Sequence, residues 1–477
     1  MLSRPRSAAE SRASNHSLPT ARSAAAIESG HDRSRRLGRH VPPARRLALR
    51  LLALACLSAF VAGCGGSDPD ADALKSLESF GRLPGLKASP NTALREEMAR
   101  IDSELGLPEQ LAQNSIAPSE NAATILAQLF APERLRRLLE ESWTILPTKD
   151  FDFSPVRLQK AIAFRTLYEY ERLKAREALE RPECRFPVGY LSGYSSLPFV
   201  DAVRLCVRLE AFHAAEQLAH DNVPQAIDAL SVMLRLAALL GAEKLTLPRL
   251  EAAYARTEAY RVACAIVDHE KVTRANLEVL LSLILGQLEA WPPDADAWVG
   301  DRAMGMHAYE LVRIGYVAVL LTPEELAEFE RERTFGELAT ATRRTADSDE
   351  LFYLRSMRRI LESCKEPYYR RIPMFNELDQ ELARLKDTPE YPLVAARLLL
   401  ADVCAGHEVQ ARDRANWEAW ALGLSAALGK PAPPFAVNPL TGEPYGVQPE
   451  KALVVVRGIG GKPNNPDGTL VIPVPER

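Results

Sequence analysis

Phe199-Val-Asp-Ala-Val-Arg-Leu-Cys-Val-Arg-Leu-Glu-Ala-Phe-His-Ala-Ala-Glu-Gln-Leu-Ala-His220, then Asp221-Asn222-Val223-Pro224, then Gln225-Ala-Ile-Asp-Ala-Leu-Ser-Val-Met-Leu-Arg-Leu-Ala-Ala-Leu-Leu-Gly241, is the most regular stretch of this 477-residue chain. It reads as an antiparallel helix pair, 199–220 and 224–241, turning at Asp221-Asn222. Pro224 falls at the start of the second helix, where a missing N–H is tolerated. Ala214, Ala215, Ala219, Ala226 and Ala229 supply small side chains where two helices have to approach closely.

Helical periodicity extends outward from this pair. Upstream, Asn91 caps a helix to about Glu104, and Ser119 caps another with Ile125, Leu126, Leu129 and Phe130 on one face. Pro132 opens a third that carries Leu135, Leu138, Leu139 and Trp143. Ser154-Pro155 starts a long helix to about Arg181 with Leu158, Ile162, Leu167 and Leu173 inside, and residues 182–196 form a loop rich in Pro, Gly and Tyr. Downstream, Pro248 starts a helix to about Val267. Thr273 caps one to Ala290 that buries Leu277, Leu280, Leu281, Ile284 and Leu288, and Thr322 with Glu325 forms a capping box. Further helices fit 349–363, 374–386 and 393–429, with no strand before residue 450. The expectation is an all-α domain over 91–429, an array of antiparallel helical hairpins that is α-solenoid-like or irregular α-α.

Residues 430–477 differ in kind: ten of these 48 are proline, and helical period is absent. Ala452 to Val456 and Thr469 to Val474 are β-prone runs separated by Gly458, Gly460, Gly461, Asn464, Asn465, Asp467 and Gly468. They predict a short C-terminal β-hairpin lying on the last helices, since a lone hairpin is marginal in water.

The other end of the chain addresses location. Arg45, Arg46 and Arg50 precede an apolar run of eleven residues, Leu51 to Val61. That run is too short to span a bilayer, which takes about 20 apolar residues. It ends in Val61-Ala62-Gly63-Cys64, which resembles the bacterial lipobox. Small residues let the signal peptidase reach the backbone, and the resemblance makes Cys64 the lipidated N-terminus of the mature chain. Residues 45–63 are then a lipoprotein signal peptide and 64–90 a tether. Residues 1–44, rich in Ser, Ala, Arg and Pro, are a disordered extension or lie ahead of a later start such as Val41. Gly65 after Cys64 favours the outer membrane, on the periplasmic side, by the proteobacterial sorting rule. Acyl chains at about 0.8 kcal/mol per buried methylene would hold the domain on a membrane.

Residues 1–63 carry 11 of the 59 Lys+Arg and 3 of the 63 Asp+Glu, which leaves 48 basic and 60 acidic side chains in residues 64–477, a formal −12. That balance argues against nucleic acid as a partner. Cys184, Cys206, Cys264, Cys364 and Cys404 fall at no metal-ligand or redox spacing. Cys206, Cys264 and Cys404, amid apolar helical residues, read as small core side chains.

A search for chemistry finds little assembled. His213, Glu216 and His220 share one helical face and are the residues from which a metal site would be built. Without a His-Glu-x-x-His arrangement they read as polar residues on an outer face or in a helix-pair groove, and no metal or cofactor is expected. Ser195 sits in half of a nucleophile-elbow pattern, without its closing glycine or preceding strand. The pairs Asp150/Asp152, Asp294/Asp296 and Asp347/Asp349 fall in predicted loops, where carboxylates are solvated. Tyr368-Tyr369-Arg370-Arg371 reads as a solvated turn, or as a loop or helix start that could contact a partner. Trp417 and Trp420 share a face of the last helix; they pack the C-terminal tail or line a ligand or partner groove.

Several stretches resemble a group of uncharacterised, helix-rich exported lipoproteins abundant in planctomycete-type bacteria. They are Pro118-Ser-Glu-Asn-Ala-Ala, Pro182-Glu-Cys-Arg-Phe-Pro187, Leu197 to Arg208 with the Asp221-Asn222 turn, and Asn438-Pro-Leu-Thr-Gly-Glu-Pro-Tyr445. The helix pair also resembles a tetratricopeptide-type unit in layout. In that group the last motif usually begins with Asp and precedes an aspartate-bearing turn, similar to the calcium-holding end of type II secretion pseudopilins. Here Asn438 replaces the Asp and Asp467 is nearly the only acid left, so calcium is not expected. The resemblance implies no known activity. The reading of function is a membrane-anchored helical scaffold that binds another envelope protein through a groove between hairpins. The alternatives are an envelope hydrolase with dispersed catalytic residues and a small-ligand binder using Trp417 and Trp420.

Overall fold

Asn91 starts the described chain as its residue type requires: its side chain accepts from the Leu94 amide at 3.2 Å and caps α1 (Thr92–Ser103). The computed structural model describes residues 91–113, 116–146, 151, 154–190, 197–321, 326–327, 335–435, 437–457 and 468–474. Outside them lie the segments 1–44, 45–63 and 64–90 with Val61, Ala62, Gly63 and Cys64, as well as Asp150, Asp152, Ser195, Thr322, Glu325, Gly458, Gly460, Gly461 and Asp467.

A short α2 (Pro108–Leu111) and α3 (Ala123–Leu126) precede α4 (Pro132–Ile145). Ser119 does not cap α3. Asn121 organises this region instead: its Oδ1 accepts from Ala123 N at 3.0 Å and Arg185 N at 2.9 Å, and its Nδ2 donates to Arg185 O at 2.9 Å. The helix expected from Pro155 to Arg181 breaks at Tyr168 into α5 (Pro155–Leu167) and α6 (Glu169–Ala178). The inward face runs through Ala161, Phe164, Tyr168, Arg172 and Ala175 at unbroken three- and four-residue spacing and leaves Leu167 and Leu173 exposed, contrary to their expected burial.

The pair quoted above forms α7 (Pro198–Ala219) and α8 (Val223–Gly241), with Asp221 in the left-handed region at φ 59°. Ala214, Ala215, Ala226 and Ala229 are buried between helices, whereas Ala219 is exposed. α8 alone among the described residues is long and apolar enough to cross a membrane by length and composition, and 61% of that window is buried in the core. α9 (Thr246–Val267) and α10 (Arg274–Glu289) follow, and α10 buries Leu277, Leu280, Leu281, Ile284 and Leu288 as its period requires.

α11 (Asp294–Arg313) is a helix that periodicity did not give, because Gly300, Arg302, Gly305 and Glu310 stand on its buried face and dilute the apolar pattern. α12 (Phe335–Ser363) begins well before residue 349, and α13 (Tyr368–Leu385) carries Pro373 inside it rather than at its start. The expected helix 393–429 is a π turn at Ala395–Leu399 followed by α14 (Val403–Ala427).

Two large apolar cores and a small third cluster of Leu111, Tyr190, Leu245, Ala303 and Met304 result among the described residues. The first joins α3 to α10 with the end of α14, and the second joins α1, α11, α12 and α13 with its beginning. The expected C-terminal hairpin is present, and a further strand before it extends the pair into a three-stranded antiparallel meander. Its first strand, β1 (Gly446–Pro449), precedes residue 450 and ends on a proline, as an edge strand can. β2 (Leu453–Arg457) pairs β3 (Thr469–Pro473) with Val455 opposite Val471. Val454, Val456, Leu470 and Ile472 face α14. A side chain at Gly423 would meet Ile472 at 2.6 Å, so the glycine sets how closely the sheet approaches.

Candidate functional site

Charge and hydrogen-bonding capacity converge where α11, α13 and α14 meet the end of α12. Arg371, in the second turn of α13, is 5% exposed. Its Nη2 donates to Asp294 Oδ2 at 2.8 Å and its Nε to Glu366 O at 2.6 Å, which satisfies a carbonyl just beyond the end of α12. Its Nη1 lies 2.9 Å from His407 Nδ1. A guanidinium has no acceptor, so Nδ1 accepts and the neutral ring carries its proton on Nε2. Burial, then the Arg371 charge, holds His407 well below the usual histidine range. The ring stacks on Trp298 at 4.3 Å, and Trp298 Nε1 donates to Gln410 Oε1 at 3.3 Å. That bond identifies the amide oxygen of Gln410. Its Nε2 is buried without a hydrogen-bond partner among the described residues, as is His407 Nε2.

Two clefts flank this junction. One, of about 530 Å³, is lined by Asp294, Tyr368, Arg371, Gln410 and Arg414, with Pro293, Pro367 and Pro439 among its walls. The other, of about 870 Å³, is lined by six cations, Arg100, Arg302, Arg358, Arg359, Lys365 and Arg370, against Glu104, Glu362 and Glu366. Leu361, Lys365 and Glu366 line both, so the end of α12 divides a single groove. The tail motif builds one wall. Asn438 Oδ1 accepts from Leu440 N at 2.8 Å, and Pro439 O accepts from Tyr369 N in the first turn of α13 at 3.4 Å. Gly442, at φ 78°, lies against the Tyr369 ring, where a side chain would meet it at 2.7 Å.

The metal candidates and the tryptophan pair singled out in the sequence fall elsewhere. His213 is half-buried with Nδ1 3.8 Å from Glu216 Oε2, and Arg165 occupies that carboxylate at 3.0 Å. Burial first, then Arg172 and Arg165, pushes His213 down to about 4. His220 is exposed at the end of α7, and among the described residues no three or more His, Cys, Asp or Glu stand close enough to hold a metal ion. Trp417 and Trp420 do not line a groove. Both are buried edge-on against Tyr260, at 6.3 Å and 5.5 Å, in the core that includes the sheet. Cys206 is a core side chain, Cys264 is partly buried, and Cys404 is exposed, contrary to its expected burial.

Two aspartate pairs read as solvated loops are helical. Asp294 pairs with Arg371, and Asp349 is buried, accepting from Tyr309 Oη at 2.6 Å and from the amides of Val394 and Ala395, both at 2.9 Å. Tyr368 does open a helix, α13, as one reading of that stretch had it, but Tyr368 and Arg371 are buried there rather than solvated. Sequence reading passed over His407. A signal was present: His407, Gln410, Asp413 and Asn416 recur every third position of α14, and all four are buried. The motifs Pro118–Ala123 and Pro182–Pro187 meet through Asn121, with Ala122 N donating to Glu183 O at 2.8 Å; their role is to clasp the chain.

The fold and site together define an all-α helical array with a C-terminal sheet and a charged groove at the end of one helix. No protein-family model, curated protein or solved structure matches the chain.

Proposed function

We propose that this chain is a membrane-anchored lipoprotein that serves as a helical scaffold in the cell envelope and holds a protein partner in the groove around the end of α12. The observation that carries the reading is that groove, with one arm lined by paired charged side chains and the other walled by Pro293, Pro367 and Pro439. The Val61-Ala62-Gly63-Cys64 lipobox supports attachment through a lipid on Cys64, on the periplasmic side with the outer membrane favoured. Repeated helical hairpins are a common way to present an extended binding surface.

The hydrolase alternative would need a cleft that brings a carboxylate together with His213 or His220. None of the clefts described above is lined by either histidine. The buried tryptophans give no surface to the small-ligand alternative. Crosslinking in cells followed by affinity isolation from solubilised membranes tests the scaffold reading, with Cys64→Ala as the mislocalised control. A discrete envelope protein recovered with the native chain and lost with the control is expected. A clean protein without partner would overturn the proposal.

A further inference from the structure

The outer face of α5 and α6 leaves large apolar side chains in water. Leu167 is 71% exposed, Tyr170 68% and Leu173 51%, and Val156 with the exposed Ala163 extends the run toward the start of α5. Leu167, Tyr170 and Leu173 follow one another at three-residue spacing, so they are neighbours on the helix surface rather than scattered singles. The inward face of the same helices is filled by Ala161, Phe164, Tyr168 and Ala175 in the first core, which leaves the outer face unpartnered among the described residues. Lys174 reaches over the Tyr170 ring at 6.0 Å and pairs with Glu177 at 2.6 Å, which gives the apolar patch a polar rim.

Charge on this face is segregated along its length. Arg157 and Lys160 are exposed toward its N-terminal end and have no acidic partner among the described residues. Glu177 and Glu180 are exposed toward its C-terminal end, and Glu180 reaches Arg235 at 3.5 Å. That order opposes the helix dipole, which favours acidic side chains in a first turn and basic ones in a last turn. Arg157 stands in the first turn of α5 and Glu177 in the last turn of α6. The arrangement is unfavourable within one chain. It becomes favourable when a second copy lies antiparallel, because the acidic end of each then faces the basic end of the other. A two-fold axis produces that antiparallel arrangement, whereas a parallel partner would set like charges together. An anionic lipid surface would meet Glu177 and Glu180 and suits the face less well.

We infer that this face is a homotypic interface, in which α5 and α6 of two copies pack antiparallel about a two-fold axis near Tyr170, Leu167 of each beside Leu173 of the other. The face from Val156 to Glu177 is about 33 Å long and one helix wide, less than a standard interface, so free chains pair weakly and reversibly. Copies held on one surface would meet at a raised effective concentration. The groove takes no part in this contact, so the pairing stands or falls apart from the scaffold reading.

Sedimentation equilibrium of the purified full-length chain tests it. Expected is a monomer–dimer equilibrium with a Kd of about 10–100 μM. Leu167→Glu/Leu173→Glu should weaken it at least about tenfold at an unchanged melting temperature, since both side chains are exposed. Arg157→Glu/Lys160→Glu and Glu177→Lys/Glu180→Lys should each lose self-association by about tenfold, and an equimolar mixture of the two should restore it. A monomer throughout, association indifferent to the leucine changes, or a mixture that associates no better than either variant alone overturns the inference. A photocrosslinking side chain at position 170 identifies the occupant. An adduct of two copies of this chain is expected; a crosslink to lipid, or within one chain to residues 64–90, overturns the assignment to a second copy.

Discussion

Arg208 lies in a helix that otherwise reads as apolar, and only 2% of it is exposed. Its Nε donates to Ser142 Oγ at 2.7 Å, its Nη2 to the carbonyls of Ser142 at 2.8 Å and Leu146 at 2.7 Å, and its Nη1 pairs with Glu258. The Leu146 carbonyl lies beyond the last turn of α4, and the Ser142 carbonyl, which already accepts from Leu146 N at 3.0 Å, takes Arg208 as a second donor, so α7 helps cap the end of α4. Arg208→Met should destabilise the protein by about 3–5 kcal/mol, because Glu258 and the Leu146 carbonyl lose their partner; urea unfolding measures it. Arg208→Lys should recover only part, since an ammonium cannot reproduce the planar fork.

Glu243 shows the same buried-charge logic with a pH signature. Its carboxylate accepts from Phe186 N at 2.7 Å, yet burial outweighs that bond and lifts it from 4.5 to about 7. Between those values the folded chain keeps a proton that the unfolded chain has released. Stability from this group is therefore full below about pH 4.5 and lost as pH rises to about 7, some 3 kcal/mol in all. Asp301, lifted to about 6 by burial, acts in the same direction. His213, pushed down to about 4, acts oppositely, its contribution appearing as pH rises toward 6.5. Urea unfolding of Glu243→Gln at pH 5 and pH 8 isolates the first effect. The variant should lose stability less steeply than the parent, and parallel slopes would refute the assignment.

At the level of elements, legibility followed the purity of the pattern. α10 was readable down to its five buried apolar residues because Thr273 caps it and its inner face carries no polar group. α11 was invisible because its inner face carries glycines and charges chosen by neighbours distant in sequence. Gly300 touches the Lys244 carbonyl and Gly305 the ring of Tyr353, contacts that no local period encodes. Gly300→Ala is accordingly expected to destabilise by about 3 kcal/mol or more, as a methyl has no room beside that carbonyl. A melting temperature equal to the parent's would contradict the packing. The candidate site was hidden as an assembly for the same reason: it is built from α11, α13 and α14, and its members Asp294, Tyr368, Arg371 and Asn438 were legible only as separate local features. The strand β1 escaped because Gly446 and Pro449 are depleted in strands and gain their place only by pairing with β2.

For the whole molecule, α14 is the member common to both cores, with Val403 and Ala411 in one and Trp417 and Trp420 in the other. The groove lies beside the first half of that helix. The central claim, a lipid-anchored scaffold holding a protein in that cleft, is tested most directly by photocrosslinking in cells. One crosslinking side chain would stand at position 358 in the groove, another at position 279 on the exposed face of α10. The account predicts a discrete membrane-associated adduct from position 358 that is absent from position 279. Adducts from neither position, or equally from both, would contradict it.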